Sequence, residues 1–457
     1  MPRVQTKKPN VILVTIDALR ADRLGCMGYP RNPTPFLDSL AKRGALFTRA
    51  LSTGPGSPQS FVSILTSTHP LDYGGYTRVG PPRVLLSEAF RRAGYTTTAL
   101  HCAAYLSGYF GYDRGWDVFE YMSPFFKGKE MSPGMRKGSW RARVLKITTW
   151  AHTKFDNERS LVAGFVIFLE KLFFLPRKIA IDFFDFRPAF LTAGEMNKKL
   201  ASLLPKKPRK PLFLWIHYMD AHGPFGLFLR QEKAFGRRVK YYLADYAGFL
   251  FGHYSFSRFF RRFFVDAYDE SVRYADAKIK ELFEYLSKTG VLDDESVVAI
   301  VADHGEEFFE HGQLGHKPKL FFVNLHVPLI IYSPARILPA VRTEPVSLID
   351  LGPTLLDAAR IAPPRAFKGK SLLRPGTRPV IAQIVDEEAD LTNPVFLGAT
   401  VAWNGYRLIH IAGEKLLFSI SDTKETRNLY DTSPGVVAEL ETLLKPYESI
   451  CPPGKRA

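Results

Sequence analysis

A chain of 457 residues that is 46% hydrophobic can hold one large α/β domain with an appendage, or two domains, and is too apolar to be disordered. Its formal net charge of +17 favours an anionic partner: nucleic acid, an anionic membrane surface or a negatively charged substrate. The three cysteines, Cys26, Cys102 and Cys451, are far apart and odd in number, which argues against a disulfide framework or a thiolate zinc site and fits a reducing cytoplasm.

Near the N-terminus the apolar run Val11 to Ile16 is too short for a signal-peptide core or a membrane span. Residues 10–16 (NVILVTI) instead read as a buried strand that ends at Asp17. The segment Thr34 to Arg43 has apolar residues at helical spacing and is stopped by Gly44. Gly54 to Ser60 (GPGSPQS) reads as a turn leading into a short helix, FVSILTS. Leu85 to Ala93 is predicted as a helix closed by Gly94, and Tyr95 to Leu100 as a second core strand.

From about 121 to 190 the alternation of strands and helices gives way to a segment rich in Lys, Arg and Phe, and a similar patch spans about 225–264. Both read as insertions with a basic and an aromatic face. The most membrane-like stretch, Val162 to Pro176, is interrupted by Glu170 and Lys171 and should not span. Leu212 to His217 resumes the core sheet. Val265 to Leu286 carries the clearest helical periodicity in the chain, ended by Gly290. Val297 to Ala302 and Pro328 to Tyr332 are further strands, and Asp350 to Ala359 a helix. After a Pro- and Lys-rich linker, the runs VIAQIV, FLGATVAW, YRLIHI and KLLFSI suggest a small antiparallel subdomain. The expected division is residues 1–362 for a catalytic domain and 363–457 for the C-terminal subdomain.

Polar residues capable of chemistry recur where core strands end: Asp17 after the first, His217, Asp220 and His222 after LFLWI, and Asp303 with His304 after Val297–Ala302. In open α/β sheets the ligand crevice lies beyond the carboxyl ends of the strands. One Asp at a strand end is ordinarily a cap or turn former. Several carboxylates converging at one edge would repel each other unless a cation sat between them. The Asp303–His304 pair offers an oxygen and an imidazole nitrogen, suited to Zn, Mn or Fe. His311 and His316 follow in a loop made pliable by Gly312 and Gly315. For this stretch alone, the plain alternative is a strand exit with solvated histidines.

The ordered segments NVILVTIDALRADRLGCMGY, TPFLDSLAKRGALFTRA, AGYTTTA, FGYDRGWDVF, HYMDAHGPF, ADHGEEFFEHGQLGH, VPLIIYSP and VSLIDLGPTLLDAA resemble the sulfatase family of the alkaline phosphatase superfamily. The resemblance implies an α/β fold with a mixed, mostly parallel central sheet flanked by helices and a small C-terminal α+β subdomain. It puts Ser57 at the nucleophile position and Asp17, Asp303 and His304 at metal-ligand positions. His222 and His316 match positions that contact the ester's anionic oxygens, while His217, Asp220 and His311 are candidates for a second metal or for substrate. The implied cofactor is a divalent metal (Mn, Zn or Ca), as one or two ions.

The departures matter as much. Where sulfatases carry a Pro two residues and an Arg four residues after the nucleophile, this chain has Gln59 and Phe61, so formylglycine is not expected and Ser57 itself would attack. The second of the family's paired aspartates is Ala18, its Asn is His304, and a common Lys and His are Cys102 and Ala104. These changes resemble the phosphodiesterase, phosphonate-hydrolase and phosphoglycerol-transferase relatives, which use Ser or Thr with Mn or Zn. The leading expectation is a metal-dependent hydrolase of a sulfate or phosphate ester acting through Ser57. The alternatives are a phosphoglycerol- or phosphoethanolamine-type transferase using the same site, and a non-catalytic binding protein on this scaffold. Peripheral membrane contact through the basic aromatic insertions is the secondary expectation, with an otherwise cytoplasmic chain. The patches lack the Gly-aromatic arrangements of RNA modules, which argues against nucleic acid.

Overall fold

The computed structural model describes residues 8–122, 190–204, 210–223, 261–316, 318–386 and 395–450. Most of both basic aromatic insertions, and all of Val162 to Pro176, lie outside the described residues. Runs of aliphatic and β-branched residues become the strands of the main sheet: β1 (Val11–Ile16), β2 (Ala45–Leu51), β3 (Thr96–His101), β4 (Val118–Tyr121), β5 (Leu212–Tyr218) and β6 (Val297–Ala302). A two-residue hairpin, β7 (Glu307–Phe308) and β8 (Leu314–Gly315), follows, and β9 (His326–Tyr332), β10 (Ala340–Arg342) and β11 (Val346–Ser347) complete the set. The sheet order is β10-β2-β9-β6-β1-β5-β3-β4, with β11 also paired to β2. All pairings are parallel except those that β9 makes with β2 and β6. This is the mixed, mostly parallel sheet expected.

Strands β1, β5 and β6 sit side by side at the centre and are buried along their whole length. That is why they read as continuous apolar runs rather than alternating ones. Strand β2 was not anticipated, because Thr48 and Arg49 interrupt its apolar pattern. It is half-buried there and its pairing with β9 shifts between Phe47 and Ala50.

Helices α1 (Pro35–Ala41), α2 (Ser57–Thr66), α3 (Leu86–Arg92), α4 (Ala193–Leu203), α5 (Arg261–Lys288) and α6 (Leu351–Ala358) flank the sheet. Helices α1 and α4 pack against α5, and α2 packs against α3 and α6. The GPGSPQS segment corrects one expectation: α2 begins at Ser57, not after Ser60. Pro58 lies in the first turn, where a missing N–H costs nothing and the fixed φ favours the helix.

A second sheet of β12 (Val380–Asp386), β13 (Val395–Trp403), β14 (Tyr406–Ile411) and β15 (Glu414–Ser419) is antiparallel throughout. The two-residue turns Asn404–Gly405 and Ala412–Gly413 have positive φ at both positions, the conformation that matches hairpin twist. Helix α7 (Pro434–Leu444) covers this sheet, burying Val437, Leu440 and Leu444 against Ile381, Val401, Leu408 and Leu417. Among the described residues, no helix is long and apolar enough to cross a membrane.

Candidate active site

Register brings the two aspartates together. In the parallel pair β1–β6, Ile16 lies opposite Ala302, so the next residues, Asp17 and Asp303, leave adjacent strands at the same level. Both are buried, as is His304. Asp303 Oδ1 accepts hydrogen bonds from the backbone N–H of Ala18 at 3.1 Å and of His304 at 2.9 Å. Its Oδ2 has no hydrogen-bond partner, and neither has Asp17 Oδ1. His304 Nδ1 lies 2.8 Å from the Gly305 carbonyl and therefore carries the proton, which leaves the Nε2 lone pair facing the aspartates. The Gly305 backbone is pressed so closely under residues 323–324 that a Cβ there would collide with the Val323 carbonyl. Ala18 sits at φ +54, unusual for a residue with a Cβ, and is held there by Tyr268, whose hydroxyl donates to its carbonyl at 2.8 Å.

Ser57 opens α2, and its Oγ donates to Asp17 Oδ2 at 3.1 Å and lies 3.3 Å from His304 Nε2. Ser57 is thus in direct contact with two of the candidate metal ligands. Two residues on, Gln59 bonds the Tyr76 hydroxyl at 2.8 Å, and its side chain crosses so close to Gly54 that no Cβ would fit there. Four residues on, Phe61 is fully buried with its ring edge-on to His217 at 4.8 Å and tilted against Trp215 at 5.6 Å.

The donor set fits a cation. One oxygen from each aspartate and His304 Nε2 lie within 4.8 Å of one another. Nε2 is 3.6 Å both from Asp17 Oδ1 and from Asp303 Oδ2. Ligand atoms about 2.1 Å from one tetrahedral ion stand roughly 3.4 Å apart. Two buried carboxylates, each with one unpartnered oxygen and no Lys or Arg paired to it among the described residues, are the electrostatic complement of a positive ion. Burial alone would raise the Asp17 carboxyl, but the imidazoles of His222, His217 and His304 hold it well below the usual carboxylate range.

Three imidazoles line one side. The His316 ring is 4.3 Å from that of His304 and 5.2 Å from that of His222. His316 Nδ1 contacts Glu306 Oε1 at 3.2 Å. Burial works against charging this ring, yet Glu306, with Asp17 and Asp303 beyond it, pushes its pKa up to about 9. Glu306 is buried and was not singled out in the sequence, although it stands two residues past His304. Arg20 was missed as well. Its Nη1 donates to the Glu306 carbonyl at 2.8 Å and to Glu310 at 3.0 Å, tying the loop after β1 to the loop after β6.

The other candidates divide. His217 stays at the site, its Nε2 3.4 Å from Asp17 Oδ2. Asp220 turns away: its two carboxylate oxygens accept from the Ala193 N–H at 3.1 and 3.0 Å, at the start of α4. Burial pushes its carboxyl up to about 7 against the pull of that amide. His311 also turns away, stacking on Phe321 at 3.7 Å and placing Nε2 3.1 Å from Glu425, beside the second sheet.

Comparison with known proteins bears on what such a site belongs to. A family model described as Sulfatase matches residues 9–361. Arylsulfatase K of Gallus gallus is 24% identical over 416 residues, covering 86% of this chain and 70% of that protein. Choline-sulfatase of Rhizobium meliloti (strain 1021) is 26% identical over 381 residues, covering 78% and 69%. Among solved structures, the phosphonate monoester hydrolase of Agrobacterium radiobacter superposes with a TM-score of 0.66 at 18% identity, over 96% of this chain and 95% of that one.

Proposed function

The chain belongs to the sulfatase family, and from that premise we propose that it is a metal-dependent hydrolase of anionic esters, phosphoric or sulfuric, with unmodified Ser57 as nucleophile. The observation that carries this reading is the Ser57 hydroxyl in direct contact with both Asp17 and His304, 3.1 and 3.3 Å away. Asp17, Asp303 and His304 would hold the cation. A divalent ion bound there would lower the pKa of a neighbouring hydroxyl by several units and offset charge on the ester oxygens.

Ser57 attacks the phosphorus or sulfur as the alkoxide, its proton released to solvent and taken back when the covalent ester is hydrolysed, and the bond to the alcohol oxygen breaks. The departing oxygen takes a proton from His316, which Glu306 holds by Nδ1. His222, whose ring lies beside that of His316, would donate to a non-bridging oxygen. Water then attacks the covalent ester, gives a proton to His316 and frees Ser57. Gln59 and Phe61 in place of the formylglycine-directing Pro and Arg favour phosphoric esters and phosphonates over sulfates.

The test is turnover of aryl sulfate, phosphate monoester, phosphodiester and phosphonate monoester by protein reconstituted with Mn or Zn. Metal-dependent release of the aryl alcohol from a phosphodiester or phosphonate is expected. Turnover that is unchanged after chelation, or unchanged in Ser57→Ala, would defeat the proposal. Transfer to an added alcohol in place of water would identify a transferase instead.

A further inference from the structure

Asp17 serves two neighbours with two different oxygens, and something must decide which oxygen faces which. Its Oδ2 accepts the Ser57 hydroxyl at 3.1 Å, while Oδ1 points towards His304 Nε2 at 3.6 Å and has no hydrogen-bond partner. Rotation of the carboxylate would exchange these roles. A second group against Oδ2 is His217 Nε2 at 3.4 Å.

His217 is fully buried and braced on three sides. It lies opposite Thr15 in the β1–β5 register, so Thr15, His217 and Asp17 come to one face of the sheet. Thr15 Oγ1 is 3.0 Å from His217 Nδ1 and accepts the Trp215 indole N–H at 3.0 Å. Nε2 faces a carboxylate and has no other hydrogen-bonding neighbour, so it carries a ring proton, while Nδ1 is paired with the Thr15 hydroxyl, which also reaches the Ile216 carbonyl at 3.3 Å. The third brace is Phe61, edge-on to the imidazole at 4.8 Å. Phe61 is four residues past Ser57 on α2, hence on the same helical face. One imidazole thus touches Asp17 and the helix that presents the nucleophile.

We propose that His217 is a positioning residue, not a ligand of a second ion: it locks the Asp17 carboxylate so that Oδ1 is turned to the cation and Oδ2 to Ser57. The inference rests on the metal and nucleophile assignments above. Partners that orient a metal ligand typically contribute 10- to 100-fold to metal affinity or activity.

The experiment measures Mn and Zn content per chain by plasma mass spectrometry, the dissociation constant by chelator competition, and kcat and KM at saturating metal. The variants are His217→Phe, which keeps the ring against Phe61, and His217→Gln, whose amide nitrogen reaches the place of Nε2. Thr15→Val is the milder variant should His217→Phe not fold. Wild type should bind one ion. His217→Phe should still bind one, with a dissociation constant raised about tenfold or more and kcat lowered about 10- to 100-fold at nearly constant KM. Thr15→Val should move both in the same direction, and His217→Gln should recover most of the loss. Two ions in wild type and one in His217→Phe would make His217 a ligand and overturn the proposal. So would wild-type affinity and kcat in both His217→Phe and Thr15→Val. A failure of the underlying reading looks different: wild type would hold no ion, or Ser57→Ala would turn over normally.

Discussion

Asp303→Asn should have opposite effects on the metal-free and metal-loaded protein. The amide oxygen of asparagine can keep both hydrogen bonds that Oδ1 accepts from Ala18 and His304, so the backbone around the site has no reason to move. What is lost is one of two buried negative charges that face each other with no Lys or Arg paired to them among the described residues. Without metal that loss removes repulsion, and the variant should melt at a higher temperature than the wild type. With metal it removes a partner from a buried charge pair, a change of roughly 3–5 kcal/mol, or about two to four orders of magnitude in dissociation constant. Ligand linkage makes the contrast measurable by melting alone. At a metal concentration about 1,000 times its own dissociation constant the wild type gains about 4 kcal/mol, whereas a variant binding about 1,000-fold more weakly gains only about 0.4 kcal/mol. The assay is differential scanning calorimetry of both proteins in chelator and in Mn or Zn, with affinity from titration calorimetry. A dissociation constant within about threefold of wild type, or an apo variant less stable than apo wild type, would refute the electrostatic reasoning.

Ser57→Ala should abolish turnover while leaving metal affinity within a few-fold, because the three buried ligand atoms remain; phosphoester turnover above about 1% of wild type would remove Ser57 as nucleophile. The intact mass of protein co-expressed with a formylglycine-generating enzyme should match unmodified serine, since Gln59 and Phe61 break the recognition pattern; a loss of two hydrogens at residue 57 would contradict this. Asp220→Asn should flatten the dependence of stability on pH. The folded carboxyl, pushed up to about 7, binds a proton that the unfolded chain has released above about 4. Wild-type stability should therefore fall as pH rises through that window, by at most about 1.4 kcal/mol per pH unit, and the variant should be the more stable at pH 8. Parallel urea titrations at pH 5 and pH 8 check it. Vesicle co-sedimentation tests the basic aromatic insertions: binding to anionic and not to zwitterionic vesicles, lost at high salt, is expected.

The central strands were legible because they are buried on both faces, and a strand in that setting is spelled by apolar residues alone. Strand β2 was not, because its buried ends are divided by Thr48 and Arg49 and its pairing is irregular. Helix α7 was overlooked although Pro434 marks its start and Val437, Leu440 and Leu444 recur by threes and fours. Ser57 was read into a turn because Gly, Pro and Ser dominate GPGSPQS, yet Pro is as much at home in the first turn of a helix as before it. In each case the local composition was ambiguous, and the contacts made by the folded chain decided.

The site divides along a similar line. Asp17, Asp303 and His304 announced themselves because they end adjacent buried strands, where a charge has no reason to be unless something binds it. Asp220 and His311 carried the same chemistry in the same segments and were indistinguishable by type. Only the fold turns Asp220 onto the first N–H of α4 and His311 onto Phe321 and Glu425. Glu306 and Thr15 are the converse, since neither a second acid after Asp-His-Gly nor a threonine inside a strand stands out. Their importance comes from what they touch, His316 in one case and His217 in the other. Sequence thus exposes residues whose burial would be costly unless used, and it hides those that act by holding others. That asymmetry makes the residues one contact further out the place to look: Phe61, a departure from the family pattern in the chain, packs in the structure against the His217 ring that faces Asp17.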